Sequence, residues 1–425
     1  MQPNSFYSYK TKKRNNSSST IYRALLIFQL IFFKLFGLAP WSTKVSKIIG
    51  KNIPITFQND LILDSSLFGA AYNILLIIIW IIYNFYSSVV VIYRKKKFDS
   101  LLTTTVMMNL IFYSIVSPIF IWIFYPVHQR IIITVINKLM RIDKTLRRYS
   151  AYLSTNSNVI FLILLTNFVL YNCFIISLMC YYPVIVVPIR SVPSLISSLI
   201  LMQYSMILDI FYKRFNNINL IILQLSGVDS NIELQKLFVS KVPLRKPIGS
   251  DIDHLNRFHA ELCDMCENVS KFYELPVLLT ILYFSVSSIF VLYFIFIFLS
   301  SPLNRFQIFI YFSDAAWFSI VIFGFIVMTF SVNRVIKESK KTSFMVHSLL
   351  DRCTMDDKLE NQLIEFSLGL LYRKVEFTAC GIISLDGSLL QSVLGTIVTY
   401  LAILIQFYRG GNSNPPEKLQ TFPPN

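Results

Sequence analysis

Long uncharged stretches dominate the pattern of hydrophobic and polar positions along the chain. Five of them contain no charged residue: 69–93, 102–125, 158–187, 275–303 and 387–408. Two more, 192–212 and 306–332, each contain one acidic residue, Asp209 and Asp314. Because a bilayer core of about 30 Å needs roughly 20 apolar residues in a helix, each stretch is long enough to cross. The pattern therefore predicts an all-α polytopic membrane protein with seven transmembrane helices.

An eighth hydrophobic segment, residues 21–41, differs from these seven. It contains Arg23 and Lys34, and Gly37 ends its helical pattern. Its uninterrupted apolar run is too short to cross a bilayer. Basic residues beside apolar ones are typical of a helix that lies in the membrane interface. We therefore predict an interfacial helix at 21–41, within a cytoplasmic N-terminal region that covers residues 1–67.

The distribution of basic residues predicts the orientation of the helices. The chain is 54% hydrophobic and 15% charged, and its net charge is +16. That composition alone would still allow a large soluble core, but the long uncharged stretches exclude a soluble enzyme. Of its 39 Lys and Arg residues, 31 lie on the side that contains the N-terminus. Since Lys and Arg are retained in the cytoplasm, we expect a cytoplasmic N-terminus and an extracellular tail at 409–425. The chain is then a multi-pass plasma-membrane protein that contacts lipid and binds no nucleic acid.

The three loops on the basic side have hydrophobic residues at helical spacing: 126–157, 213–274 and 333–377. We expect long helices that project into the cytoplasm and pack there. Residues 333–386 would form an anchor region between the six helices of 68–332 and the last span. Apolar helix faces outside the membrane need partners, so self-assembly is expected.

No pattern typical of an enzyme occurs in the chain. All four histidines lie in the cytoplasmic loops, and HExxH, GxSxG and glycine-rich phosphate motifs are absent from the sequence. His259, Cys263 and Cys266 share a helical face, but zinc ligands usually come from separated segments, so helix packing is the better interpretation. We expect no catalytic residue, no metal and no cofactor, and we expect the cysteines to be reduced.

Polar and aromatic side chains in the outer halves of the spans are candidates for a ligand pocket. Polar groups in a membrane are costly unless they face protein or water, so they indicate function. Asp314 is the clearest case, with Tyr311 and Trp317 on the same span and Asn109 and Tyr182 on others. An apolar, aromatic pocket with a few polar anchors suits a small organic ligand. The alternative is that Asp314 reaches the outer interface and that the aromatic residues form an ordinary interfacial belt.

The last span has an amide near its outer end. Gln406 is the only amide in residues 395–408, and Phe407 follows it. If several copies of this helix surrounded an axis, Gln406 could hydrate a passing ion and Phe407 could close the path by dewetting. The alternative is a glutamine at the outer membrane boundary.

The same span carries a resemblance to a known family. Thr399 and Tyr400, five apolar residues, and then Gln406 and Phe407 resemble the TYhhhhhQF signature of insect gustatory receptors. The strings FTACG, LD and ESKKT, at residues 377–381, 385–386 and 338–342, are also similar to that family.

The resemblance implies a ligand-gated, non-selective cation channel of sensory neurons that detects small tastants such as sugars or bitter compounds. It implies a homotetramer, or a heterotetramer with related receptors, in which residues 387–408 line a central pore. Gln406 and Phe407 would lie at the gate, with Thr399 and Tyr400 on the same helix. Ligand would bind within each subunit, in an outward-opening pocket that includes Trp317.

A metabotropic chemoreceptor with seven helices, signalling through cytoplasmic partners, is the alternative function. G-protein-coupled receptors of this kind have an extracellular N-terminus, and their DRY-type motif follows the third span. Here the similar string, residues 147–149, follows the second span. A fast current in cells that lack G-protein signalling would distinguish the two functions.

Overall fold

The structure of the protein is a computed structural model that describes residues 31–43, 63–94, 101–146, 158–181, 183–184, 186–225, 242–243, 249–299, 305–354 and 357–413. The predictions for Tyr182, for residues 21–30 and for the tail beyond 413 lie outside the described residues. The described chain contains eight helices of 16 residues or more: α1 (Leu67–Arg94), α2 (Leu101–Leu146), α3 (Asn158–Tyr181), α4 (Val187–Leu225), α5 (Gly249–Leu299), α6 (Arg305–Arg352), α7 (Asp357–Tyr372) and α8 (Ser388–Ser413).

Seven of these helices, α1 to α6 and α8, are long and apolar enough to cross a membrane, which confirms the predicted number of spans. The eighth, α7, is short and packs against α5 and α6. Its buried residues lie on one stripe: Leu363, Phe366, Ser367 and Leu370. That spacing is typical of an amphipathic helix.

The third and fourth helices do not end and begin where their uncharged runs do. The uncharged run extends to residue 187, but α3 ends at Tyr181 and α4 begins at Val187. Pro183 lies between them, and helices usually end at or before the residue that precedes a proline. The Val186 N–H donates to the Pro183 carbonyl at 2.8 Å, which closes a turn between the two helices.

Four helices are much longer than a bilayer is thick. α2, α4, α5 and α6 have 46, 39, 51 and 48 residues. At about 1.5 Å per residue they measure roughly 60–75 Å, about twice the hydrocarbon core. α6 therefore continues as a helix through the charged residues Arg334, Lys337 and Lys341.

The core lies around α4, which packs against α2, α3, α5 and α6. Of its apolar window, 83% is buried, against 17% for both α1 and α8. Large side chains fill the contacts around it, among them Tyr204, Phe211 and Phe215 of α4 and Phe272 and Phe284 of α5, all fully buried. α1 and α8 thus form the exposed flanks of the bundle, where lipid or other subunits can contact them.

The end of the N-terminal segment is inserted into the bundle. Residues 31–35 are helical, and the helix ends at Gly37, which has a φ of 72°. The Leu38 N–H donates to the Phe33 carbonyl at 2.9 Å and the Gly37 N–H donates to the Lys34 carbonyl at 3.0 Å. This pair of bonds is the usual helix ending at a glycine with positive φ.

Side chains of three helices hold this segment. The carbonyls of residues 35–38 accept hydrogen bonds from Tyr72 and Asn73 of α1, Trp122 of α2 and Gln203 of α4. Buried carbonyls need such partners because leaving them unpaired is costly. The described part of the predicted interfacial segment therefore packs against protein at this end.

A short hairpin leads into α8. Strands β5 (Thr378–Ala379) and β6 (Ile383–Ser384) pair antiparallel, around a turn in which Cys380 and Gly381 have φ values of 53° and 67°. The other two-residue strands pair as β1 (Ser42–Thr43) with β2 (Leu63–Asp64), and β3 (Val242–Pro243) with β4 (Cys353–Thr354). The hairpin packs on α5 through β5, so it fixes where α8 begins.

We expect Asp386→Ala to lower the free energy of unfolding by about 1 kcal/mol, because Asp386 caps α8. Its Oδ1 accepts hydrogen bonds from the Ser388 hydroxyl at 2.6 Å and the Ser388 N–H at 2.9 Å. These bonds lower the pKa of Asp386. Since the folded pKa lies below the unfolded value, the contribution is present at neutral pH and is lost as the pH falls through the lowered pKa. Thermal unfolding of the purified protein measures the change.

Asp386→Asn is the matched control, because asparagine caps helices about as well as aspartate. An Ala variant as stable as wild type would remove the cap assignment.

Candidate functional site

A chain of hydrogen bonds joins α4, α5 and α6 near the end of the bundle where α4 and α6 begin, called here the Arg190 end. Its centre is Ser194 of α4. The Trp317 indole N–H of α6 donates to the Ser194 Oγ at 2.9 Å, and the Tyr283 hydroxyl of α5 lies 3.0 Å from the same atom. All three residues are buried.

The direction of these bonds follows from the number of protons. Ser194 has one hydroxyl proton, which it donates to the Arg190 carbonyl at 3.0 Å. Tyr283 must therefore donate to Ser194, which accepts two bonds. The indole N–H of Trp317 is thus used within the protein, so a ligand at this site would contact its ring.

An ion pair lies one turn away. A guanidinium nitrogen of Arg190 is 3.8 Å from a carboxylate oxygen of Asp314, and these side chains are 24% and 5% exposed. That separation is too long for a direct hydrogen bond. A carboxylate has room for about four donors, so Asp314 keeps acceptor capacity in a site almost closed to solvent.

Aromatic rings form the rest of the site. The Phe284 ring of α5 meets the Trp317 ring edge-on at 6.1 Å and the Phe325 ring at 5.8 Å. From α3, the Tyr171 hydroxyl donates to the Ser191 carbonyl at 2.6 Å. The arrangement is an apolar, aromatic setting with one charged pair and a few hydroxyls, which is the composition of small-molecule sites.

The structure brings some of the predicted pocket residues together. Asp314 and Trp317 are both buried, one helical turn apart on α6. Tyr311 precedes them on the same helix, and its hydroxyl is buried with no hydrogen-bond partner among the described residues. Asn109 is exposed on α2. Tyr182 lies outside the described residues.

Sequence reasoning missed Arg190, Ser194 and Tyr283. Arg190 had a usable signal, because it is one of few basic residues on the side of the membrane that Asp314 faces. Ser194 and Tyr283 had none, since serine and tyrosine recur throughout these spans.

α8 has two contrasting faces. Leu389, Val393, Ile397, Leu401 and Leu404 are buried or half-buried, at the spacing of one helical face. That face contacts mainly α5. The residues opposite are all exposed and all small or polar: Ser388, Gln391, Ser392, Gly395, Thr399, Ala402 and Gln406. We call this second set the polar face of α8.

The four predicted gate residues divide between that face and its flank. Gln406 and Thr399 belong to the polar face. Tyr400 and Phe407, which are 55% and 65% exposed, lie seven residues apart on one flank. Neighbouring residues in a helix are separated by about 100°, so Phe407 points about a quarter-turn away from Gln406.

The histidine and cysteine group has the geometry of helix packing. The Cys263 Sγ lies 3.6 Å from the His259 Nδ1 within α5, and both are buried with Cys266. Among the described residues, no three His, Cys, Asp or Glu side chains are placed to hold a metal ion.

Comparisons with known proteins agree with this geometry. The family model described as 7tm chemosensory receptor matches residues 26–408. The chain is 33% identical to gustatory receptor 28a of Drosophila melanogaster over 162 residues, which are 37% of this chain and 35% of that protein. It is 39% identical to the Drosophila melanogaster gustatory receptor for bitter taste 66a over 87 residues, 20% of this chain and 16% of that protein. The matched segments thus cover about a third or less of these relatives.

Solved structures show the same fold. The insect olfactory receptor OR5 from Machilis hrabei superposes with a TM-score of 0.59 at 11% identity, covering 92% of this chain and 100% of that one. The same receptor in complex with eugenol superposes with a TM-score of 0.55 at 12% identity, with the same coverage.

Proposed function

The chain belongs to the 7tm chemosensory receptor family, which is a family of receptors and not of enzymes, and from that premise we propose that it is a gustatory receptor acting as a ligand-gated cation channel. Its seven spans, together with its family, make it a multi-pass protein of the plasma membrane. The proposed ligand is a small tastant, and the proposed permeant ions are cations. We propose that the protein has no enzymatic activity.

The polar face of α8 is the observation on which the channel proposal rests. Seven exposed positions in a membrane-spanning helix are small or polar, although lipid favours large apolar side chains there. Such a face is explained if it borders water. Copies of α8 around an axis would line a conduit with hydroxyl and amide groups, and Gln406 near its end would hydrate passing ions.

The position of Phe407 suggests how the conduit closes. A rotation of α8 by about 100° would exchange Gln406 for Phe407 at the axis, replacing a hydrating amide with a ring. A ring of phenylalanines can block ions by dewetting. We therefore propose that Gln406 and Phe407 are alternative occupants of the gate, with Thr399 and Tyr400 marking the same two faces further along the helix.

α5 offers the physical connection between ligand and gate. It contributes Tyr283 and Phe284 to the site at the Arg190 end, and α8 packs along it. A ligand that binds one arrangement of α4, α5 and α6 better than the other shifts the population toward it. A displacement of α5 would then turn α8.

The ligand site we propose includes Asp314, Trp317 and Tyr311, with Arg190 at its mouth. Asn109 and Tyr182 are the other two candidates from the sequence. Asp314 has unused acceptor capacity, and the Tyr311 hydroxyl has no partner in the part of the chain that the structure describes. A ligand with a hydroxyl or amine donor beside an aromatic or aliphatic body would satisfy both. Eugenol, which OR5 binds, has a phenol and a ring and is a reasonable first probe.

The basic residues support a cytoplasmic N-terminus, so the Arg190 end would face the outside and residues 333–386 would form the cytoplasmic anchor. α7 lies in that region and has a second, exposed apolar stripe: Ile364, Leu368, Leu371 and Tyr372, which are 41%, 50%, 57% and 88% exposed. An exposed apolar stripe outside the membrane indicates a protein partner. We propose that it joins subunits of a tetramer, either of this chain or with related receptors.

We expect Leu368→Glu to reduce the tetramer fraction at least about tenfold, because it places a charge in the centre of that apolar contact. Light scattering of the purified receptor after size exclusion measures the change. Lys358→Glu introduces the same group at an exposed position of α7 away from the stripe. Equal tetramer content in both variants would contradict the assignment.

Patch-clamp recording from cells that express only this chain tests the function. The panel would contain eugenol, sugars and bitter amines, with G-protein signalling blocked. A rapid cation current supports the channel. A response that appears only when G-protein signalling is intact would favour the metabotropic alternative.

A further inference from the structure

A row of basic residues continues the lipid-facing surface of α6. Ile322, Ile326 and Phe330 are spaced by four residues and are 50%, 49% and 60% exposed. On the same face, about two to three turns further, Lys337 and Lys340 are also exposed. The surface therefore changes from apolar to basic within a few residues.

A contact between α4 and α6 shows at which level of the membrane the surface changes from apolar to basic. A guanidinium nitrogen of Arg334 lies 3.5 Å from a carboxylate oxygen of Asp209 on α4, and Lys213 contacts the other oxygen of Asp209 at 2.6 Å. In both helices the long apolar run ends at this level. Two helices thus leave the hydrocarbon together, which places Lys337 and Lys340 at the level of lipid headgroups.

Arg334 is held in place by aromatic rings. Its guanidinium carbon lies 3.8 Å from the centroid of the Tyr212 ring on α4 and 5.4 Å from that of Phe330. Such contacts orient a guanidinium and reduce its freedom. Arg334 is therefore a positive charge held between α4 and α6, and the exposed Lys337 and Lys340 lie within two turns of it on α6.

The local charge is positive even after the ion pairs are counted. Glu338 is occupied by Asn219 at 2.8 Å and by Lys341 at 3.4 Å, and Asp143 pairs with Arg214. In this part of α6, Arg334 and Lys341 pair with Asp209 and Glu338, whereas Lys337 and Lys340 are exposed and have no ion pair among the described residues. The positive excess is at the exposed lysines.

We propose that this exposed face of α6, at the level where the apolar runs of α4 and α6 end, binds an anionic phospholipid of the cytoplasmic leaflet. The acyl chains lie along Ile322, Ile326 and Phe330, and the headgroup contacts Lys337 and Lys340. Lysines just beyond the cytoplasmic end of a membrane-spanning run attract anionic headgroups. The leaflet follows from the proposed topology, but the site does not require channel activity.

The test measures lipid binding through the stability of the folded receptor. Purified full-length receptor in neutral detergent is titrated with dioctanoylphosphatidylserine, and the thermal unfolding midpoint is followed, since a ligand that binds the folded state raises it. We expect a saturable rise for wild type. At about fivefold per lysine, K337Q/K340Q should weaken the apparent affinity about 25-fold, whereas K337R/K340R should retain it.

The control variant K271Q/K358Q removes the same charge at exposed positions on α5 and α7. An equal loss of affinity in this control would show only general electrostatic attraction and would overturn the site. So would a midpoint that phosphatidylserine leaves unchanged, or an equal rise with dioctanoylphosphatidylcholine. An equal rise with free phosphoserine would show an anion site and reject the lipid. None of these results depends on current, so failure here is distinct from failure of the channel proposal.

Discussion

Replacing Arg190 with methionine is expected to lower the free energy of unfolding by roughly 3 kcal/mol, because it leaves a buried carboxylate without its partner. The Asp314 side chain is only 5% exposed, so water cannot replace the lost guanidinium. The opposite change, Asp314→Asn, should lower the free energy of unfolding by less than about half as much, since Arg190 is 24% exposed and can be hydrated. Thermal unfolding of the purified variants shows which of the two is less stable.

The double variant R190M/D314N separates pairing from general damage. If the two groups act as a pair, it should be more stable than R190M alone, because no unpaired charge remains. Arg190→Lys keeps the charge and controls for side-chain volume. Additive losses in the double variant, or a larger loss for D314N than for R190M, would contradict the pair.

The same variants test the ligand site. For any agonist found in the recording panel that has a hydroxyl or amine, Asp314→Asn should raise the half-maximal concentration, since the strongest acceptor is gone. An agonist of the same skeleton without that donor should be affected less. An equal shift for both would place Asp314 outside the site.

The seven spans could be predicted because an uncharged run of more than 20 residues has few alternatives to a membrane helix. The exact ends of the helices were harder to predict. The run 158–187 hides a turn, although Pro183 within it was a usable signal that the prediction did not apply. Hydropathy alone shows where a helix can lie and not where it stops.

The site could be predicted only in part. Asp314 is visible in the sequence because a single charge in an apolar run is conspicuous. Its partner Arg190 is far away in sequence, and only the packing of α4 against α6 joins them. The hydrogen bond from the Trp317 N–H to Ser194 could not be predicted from the sequence either, since it depends on Ser194 donating its own proton to another acceptor.

Helical periodicity places Gln406 and Phe407 about 100° apart but does not say which one faces the body of the subunit. The contact of α8 with α5 supplies that reference, and it leaves Gln406 on the polar face with Phe407 on the flank. The gate prediction thereby becomes the proposal that α8 rotates and exchanges Gln406 for Phe407 at the axis.

Cysteines on the polar face of α8 should react with a charged, membrane-impermeant thiol reagent in the open channel at least about tenfold faster than cysteines on the packed face. Thr399→Cys, Ala402→Cys and Gln406→Cys represent the first group, and Ile397→Cys and Leu401→Cys the second. Modification of the first group should block the current, because a bulky charge in the conduit obstructs ions. Each cysteine variant is made in a receptor in which the exposed Cys173, Cys180 and Cys380 have been replaced by serine.

Phe407→Cys gives the sharpest result, because its side chain is proposed to change environment with gating. If rotation exchanges Gln406 for Phe407 at the axis, Gln406→Cys should react faster with agonist present and Phe407→Cys faster without it. Gln406→Leu should reduce single-channel conductance while surface expression stays unchanged, since it removes the hydrating amide. Reaction rates at 406 and 407 that change in the same direction on agonist addition would exclude the rotation. Equal rates on the polar and packed faces would exclude α8 as the wall of the conduit.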